Sequence, residues 1–320
     1  MNNEYLGRES FRIAHRFGAN CRRLRERAQV CHFHSCFDTR SWFPARALLP
    51  GRQAVRSRRL GYPPAVDRAS SEIATLILCG GKGTRAYPLT LNLPKPMLPV
   101  GDRPILQHVM TIYARQGFTR FVLAGGYLVD VLRDFAETVP ASWQVEVVDT
   151  GGETGTAERI RRSRSFLGRE FFATYGDGLG NVDLGQLLAR HHAGATQGTM
   201  TTVPLPSQYG TVDIDAAGRV SRFIEKPVLQ DHWINAGFFV LTQDALDADA
   251  GESLEQELLP TLARQGQLTV YRHSGFWRSM DTHKEMVELS ALADSEGAPW
   301  LSSPAPEFSS PAPAVSSVHT

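Results

Sequence analysis

From residue 73 onward the chain repeats one unit, a short apolar β-rich run followed by a stretch of helical spacing. The runs are "IATLILC", "TRFVLAG", "WQVEVVD", "EFFATYGD" and "GTMTTVPL", and the stretches between them begin near Pro104, Val129, Ala157 and Asp183. Strands alternating with helices predict a mixed, mainly parallel, doubly wound α/β sheet. In the stretch after Pro104, Ile105, Val109, Ile112 and Tyr113 recur at helical spacing and face the sheet. After Gly210 the rhythm changes. "GTVDID", a turn at "AAG", "RVSRFIEKP", "WINAGFFVL" and "LTVYRH" predict antiparallel additions to the same sheet, and a last helix spans Thr282 to Ala293.

The two ends differ from this core. Residues 1–72 hold 14 Arg and no Lys against 6 acids, net +8, which leaves 20 basic and 27 acidic residues afterwards, net −7. The first segment lacks a sustained period and has few aliphatic clusters, so it reads as a poorly ordered extension. Arg blocks also suit a polyanion-binding arm, but no nucleic-acid partner is expected. Within it "CHFHSC" sets His32 and His34 between Cys31 and Cys36, a spacing that matches no paired zinc knuckle. No h-region and no apolar run long enough for a membrane appear, and the cysteine usage fits a cytoplasmic protein. The tail 302–320 is Pro/Ser/Ala-rich and reads as disordered. The domain boundaries are therefore 1–72, 73–301 and 302–320.

The chemistry concentrates in "LILCGGKGTRAYPLTLNLPKPMLPV", Leu76 to Val100. Gly81 to Ala86 fit a dinucleotide fingerprint, but Pro88, Pro94, Pro96 and Pro99 forbid the helix that such a site needs. The Walker pattern is not met either. What remains is a strand feeding a glycine loop, followed by Arg85 and a proline-stiffened segment that carries Lys95. Backbone N–H groups of such a loop suit a nucleoside triphosphate. Cys79 closes the strand and reads as core.

"GGKGTR" followed ten residues on by "PKPM" resembles the sugar-1-phosphate nucleotidylyltransferase family over Ile73 to about Trp300. "YGDG", "IEKP", "WINAGFFVL" and "GFWRSMDT" follow in family order. Together with "VDTG" and the late "APW", they resemble its glucose-1-phosphate cytidylyltransferase branch. The resemblance implies a nucleotide-diphospho-sugar transferase-like fold and transfer of a nucleotidyl group from an NTP to a sugar 1-phosphate. CTP and glucose 1-phosphate are the leading pair. Alternatives are another NTP with a cyclitol or amino-sugar phosphate, and a catalytically silent regulatory relative. A homo-oligomer is also implied.

The same resemblance assigns residues. Gly80, Gly81, Gly83 and Thr84 hold the triphosphate; Arg85 draws its β- and γ-phosphates; Lys95 and Lys226 hold the attacking phosphate. Asp177 and Asp281 share Mg²⁺, Glu225 and Asn235 bond sugar hydroxyls, and Gly178 and Gly237 let the backbone approach the sugar. Asp281 before Thr282 also suits a simple helix cap. Ala157 and Glu158 stand where the branch has a Gly pair, which predicts an added anion near substrate; His191 and His192 read as surface residues.

Overall fold

Strand β1 (Thr75–Leu78) lies inside a seven-stranded sheet and is paired in parallel on both sides. The computed structural model describes residues 72–248, 251–295, 297–304 and 307. The Arg-rich segment up to residue 71, with its Cys/His cluster, and most of the tail lie outside the described residues. After β1 come the two-residue strands β2 (Pro99–Val100) and β3 (Arg103–Pro104), helix α1 (Ile105–Ala114) and β4 (Arg120–Gly125). Then follow α2 (Val129–Ala136), β5 (Gln144–Asp149), α3 (Thr156–Arg162), β6 (Glu170–Tyr175), β7 (Gly178–Gly180) and α4 (Leu184–Gly194). The second half adds β8 (Gly198–Pro206), β9 (Thr211–Ile214), β10 (Val220–Ile224) and β11 (Val228–Thr242). It closes with α5 (Leu259–Arg264), β12 (Leu268–Arg272), β13 (Trp277–Ser279) and α6 (His283–Ser295).

The sheet order is β12-β8-β11-β6-β1-β4-β5, with β11 antiparallel to both neighbours and every other pairing parallel. Alternate side chains feed two cores, one on each face. Ile77, Phe121, Phe172 and Phe238 point to one; Leu76, Val122, Phe171 and Phe239 to the other. This is the doubly wound arrangement that strands apolar on both faces require. The prolines act as expected, because the only helical pieces between β1 and α1 are three-residue 3₁₀ turns at Thr84–Ala86, Leu89–Leu91 and Lys95–Met97. Local signals also hold at α4, where the Asp183 side chain accepts from Gln186 N at 2.8 Å and caps the helix.

Three features differ from the expectation. β12 is parallel to β8. The chain leaves β11 where β8 begins, with Thr242 N donating to Gln197 O at 2.9 Å, so a strand started there beside β8 runs with it. β9 and β10 pair only with each other, outside the main sheet. Asp215 closes their turn locally by accepting from Ala217 N and Arg219 N at 2.9 Å, while Ile214, Val220 and Phe223 stay exposed and give no buried face. His191 is buried, its Nδ1 3.0 Å from Thr199 Oγ1, whereas His192 is at the surface beside Glu170. At the other end Asn181 Nδ2 donates to Ser302 Oγ and Ser303 O at 3.1 Å, and Glu307 bridges to His273. Contacts thus continue past residue 301. Among the described residues no helix is long and apolar enough to cross a membrane.

Candidate active site

At the C-terminal ends of β1 and β6 a cavity of about 600 Å³ opens, where parallel α/β sheets place ligands. The glycine loop forms one wall. Gly83 takes a left-handed conformation, φ 60°, and a Cβ there would lie 2.8 Å from the Lys95 Cβ, so the loop folds down onto the lysine. Gly80, Gly81, Thr84 and Arg85 line the same wall.

Lys95 is buried, and its ammonium donates to Asp177 Oδ2 at 2.5 Å and Asp281 Oδ1 at 2.6 Å. Arg85 Nη2 reaches the same Asp281 oxygen at 3.0 Å, with its side chain 73% exposed. The two carboxylates are brought side by side by an antiparallel ladder, in which Gly178 pairs with Ser279 and Met280 N donates to Asp177 O at 2.9 Å. Thr282, not Asp281, caps α6. Glu285 Oε2 accepts from Asp281 N at 2.7 Å and Thr282 N at 2.8 Å, while Glu285 N donates back to Thr282 Oγ1 at 3.3 Å. This capping box fixes the Asp281 backbone and leaves its carboxylate for the cations.

The site can neutralise phosphates and fits a hard cation. Among the described residues no three acid, His or Cys side chains cluster as a metal site. Mg²⁺ commonly takes only one or two carboxylates and completes its shell with phosphate oxygens and water, so the Asp177–Asp281 pair suits it. A Cys nucleophile is not supported. Burial, with Asp177 nearby, pushes the Cys79 thiol pKa far up, as a core cysteine requires.

Arg159 carried no sequence signal for its role. Its guanidinium donates to the carbonyls of Gly80 (3.1 Å), Gly125 (3.1 Å), Gly151 (2.7 Å) and Gly152 (3.2 Å), and to Thr150 Oγ1 (2.6 Å). It ties the glycine loop, the end of β4 and the loop after β5 into one floor. Burial depresses its pKa from the usual arginine value. Across the mouth, Lys82 and Glu153 form an exposed ion pair that raises the lysine pKa and lowers the glutamate's.

Other predicted residues stand elsewhere. Lys226 and Glu225, whose charged groups are 3.9 Å apart, are exposed and do not line the cavity. Asn235 turns inward, Nδ2 donating to Tyr175 OH at 3.2 Å and Oδ1 accepting from Gly237 N at 2.8 Å. Gly237, φ 79°, makes room for the Tyr175 ring. Gly178 is buried in the β7–β13 ladder. Glu158 turns away to Arg162 at 3.0 Å and Arg161 at 3.6 Å, and Ala157 is buried in the core, so the expected extra anion does not face the cavity.

Residues 74–296 match the nucleotidyl transferase family model, and the chain belongs to this family. The chain is 36% identical over 250 residues to a probable glucose-1-phosphate cytidylyltransferase of Bacillus subtilis, covering 70% of this chain and 98% of that one. It is 35% identical to the glucose-1-phosphate cytidylyltransferase of Salmonella typhi, over 70% of this chain and 97% of the other. Among solved structures, HddC from Yersinia pseudotuberculosis, crystallised with GMP-PN, superposes with a TM-score of 0.55 at 20% identity. That match covers 68% of this chain and 98% of HddC, and shows the shared fold.

Proposed function

We propose that the protein transfers the cytidylyl group of CTP to glucose 1-phosphate, giving CDP-glucose and pyrophosphate. The observation that carries this is Lys95, held between Asp177 and Asp281 directly beneath the glycine loop. The identity to glucose-1-phosphate cytidylyltransferases supports the choice of substrates. A sugar-phosphate oxygen attacks the α-phosphorus, the bond to the α,β-bridging oxygen breaks, and pyrophosphate leaves with that electron pair. With its second pKa near ~6 the phosphate monoester is already ionised at neutral pH, so no general base is needed. The obstacle is repulsion between anions, which positioned cations remove.

Arg85, exposed beside Asp281, draws the β- and γ-phosphates and steadies the departing pyrophosphate. Lys95 holds the attacking phosphate. Asp177 and Asp281 would hold Mg²⁺, which when bound adds neutralisation of the phosphate oxygens. Lys226, at the root of the β9–β10 hairpin, serves the acceptor only when that hairpin approaches the cavity. A cytoplasmic location follows from a triphosphate substrate, and a homo-oligomer from the family resemblance; sedimentation at several concentrations reads the latter.

The test is a pyrophosphate-release screen that crosses CTP, UTP, dTTP, GTP and ATP with several sugar 1-phosphates in Mg²⁺. CTP with glucose 1-phosphate is expected to give the highest kcat/KM. Release only with another pair moves the specificity, and no release with any pair overturns the reaction. Asp177→Asn keeps the fold and loses most of the Mg²⁺-dependent turnover in this reading, and calorimetry with CTP and Mg²⁺ separates lost binding from lost chemistry.

A further inference from the structure

Part of the cavity wall consists of hydroxyls around one carboxylate. Glu255 stands on a single π-helical turn, Leu254–Leu258, a rare geometry that concentrates at functional positions. The wide turn buries Leu254 and Leu258 in the core and leaves Glu255 exposed along the cavity. Oε1 accepts from Tyr175 OH at 2.7 Å; Oε2 accepts from Thr156 Oγ1 at 2.7 Å and Ser253 Oγ at 3.3 Å.

The surroundings fix the direction of each bond. Thr156 Oγ1 accepts from Leu254 N at 2.8 Å, which leaves its own proton for Glu255. The Tyr175 hydroxyl accepts from Asn235 Nδ2 at 3.2 Å, which leaves its own proton for Glu255 Oε1. A Cβ at Gly237 would lie 2.5 Å from Tyr175 Cδ2, so only glycine allows the ring its place. Tyr175 at the end of β6, Asn235 within β11 and Thr156 at the start of α3 therefore act together to orient one carboxylate.

A carboxylate offers about four acceptor sites. Protein donors fill three, and the remaining capacity of Oε1 is open to the cavity. A phosphate would be repelled by this anion, whereas a neutral hydroxyl donor is welcomed. We infer that Glu255, oriented by Tyr175 and Thr156, accepts a hydrogen bond from a sugar-ring hydroxyl of the bound substrates and so helps select the sugar. The inference rests on the transferase reaction proposed above. The ribose of the nucleotide and the hexose of the acceptor both carry such hydroxyls.

The experiment compares wild type, Glu255→Gln and Tyr175→Phe in pyrophosphate release with CTP and glucose 1-phosphate. Glu255→Gln should raise KM for one substrate at least ~tenfold, the usual cost of losing a hydrogen bond to a charged group, with the other KM unchanged. Repeating the comparison with 2-, 3-, 4- and 6-deoxyglucose 1-phosphate, and with 2′-deoxy- and 3′-deoxy-CTP, assigns the ring. The analogue lacking the contacted hydroxyl should be handled alike by both enzymes. Tyr175, a positioning residue, should give a smaller rise on the same substrate with the same analogue pattern. No rise, or an equal loss with every analogue, overturns the inference. Calorimetry with CDP-glucose reads the contact without turnover: Glu255→Gln should bind ~tenfold more weakly, and equal affinity again overturns it. A wild-type protein that binds CDP-glucose yet releases no pyrophosphate counts against the reaction, not against this contact.

Discussion

Arg159 Nη2 donates to the carbonyl oxygen of Gly80 at 3.1 Å, joining α3 to the glycine loop across 79 residues of chain. The same fork reaches the carbonyls of Gly125, Gly151 and Gly152. Lysine is a compact point charge and cannot span them. Arg159→Lys should therefore strand buried carbonyls and cost about 3 kcal/mol, a sum of one or two unsatisfied groups. The chemical unfolding midpoint measures this, and an unchanged midpoint would show that the fork is dispensable.

At Gly83 the left-handed backbone and the 2.8 Å approach of a would-be Cβ to Lys95 act together. Gly83→Ala should strain the loop by about 1 kcal/mol and displace the ammonium that faces the two carboxylates. A fall in kcat larger than the shift in stability is expected. Steady-state kinetics beside thermal melting separates the two.

Arg85 can offer a planar fork to the leaving pyrophosphate, and its exposed side chain contributes little to the fold. Arg85→Ala should leave the melting temperature unchanged and lower kcat about a hundredfold, the scale of a preorganised electrostatic donor. Arg85→Lys should retain part of the binding, with kcat and kcat/KM for the NTP falling together. Near-wild-type kcat in Arg85→Ala would mean that the loop works through its amides.

Three buried histidines make stability depend on acid. His108, His191 and His273 all have pKa values lowered by burial below the ordinary 6.5. His108 is locked neutral, since Trp300 Nε1 donates to its Nδ1 at 3.2 Å and its Nε2 faces Val100 O at 2.9 Å. The unfolded chain takes up these protons first as pH falls. Stability is thus full above the unfolded pKa of about 6.5 and declines below it, by up to ~1.4 kcal/mol per pH unit for each histidine. Urea midpoints at pH 7.5 and 5.5 read the slope, and His191→Gln should flatten it. An equal or higher midpoint at pH 5.5 refutes the coupling.

Deleting residues 1–70 should preserve cooperative unfolding and turnover, because the family match begins at residue 74. Loss of the single transition on truncation would show that the boundary is misplaced.

What could be read from the sequence was mostly local. The start of a helix near Asp183 and the proline-broken stretch after β1 depend on neighbouring residues, and both appear as expected. The meeting of Lys95 with Asp177 and Asp281 was legible only through family resemblance, since 82 and 186 residues separate the partners. Arg159 escaped notice because most of its acceptors are backbone carbonyls, which no residue type announces. Glu158 misled for a related reason: its position suggested the cavity, but Arg161 and Arg162 on the same helix turn it away.

The late arrival of Asp281 has a consequence during synthesis. Asp281 follows Lys95 by 186 residues, roughly 10–40 s of translation at typical elongation rates. Until β13 has emerged from the ribosome and paired with β7, the ammonium of Lys95 lacks its second counter-charge. A prematurely terminated product ending before β13 would carry the glycine loop and Asp177 yet leave Arg85 and Lys95 without Asp281. Such a fragment should be both less stable and inert, so the charge balance of the site also registers that β13 has been made and paired.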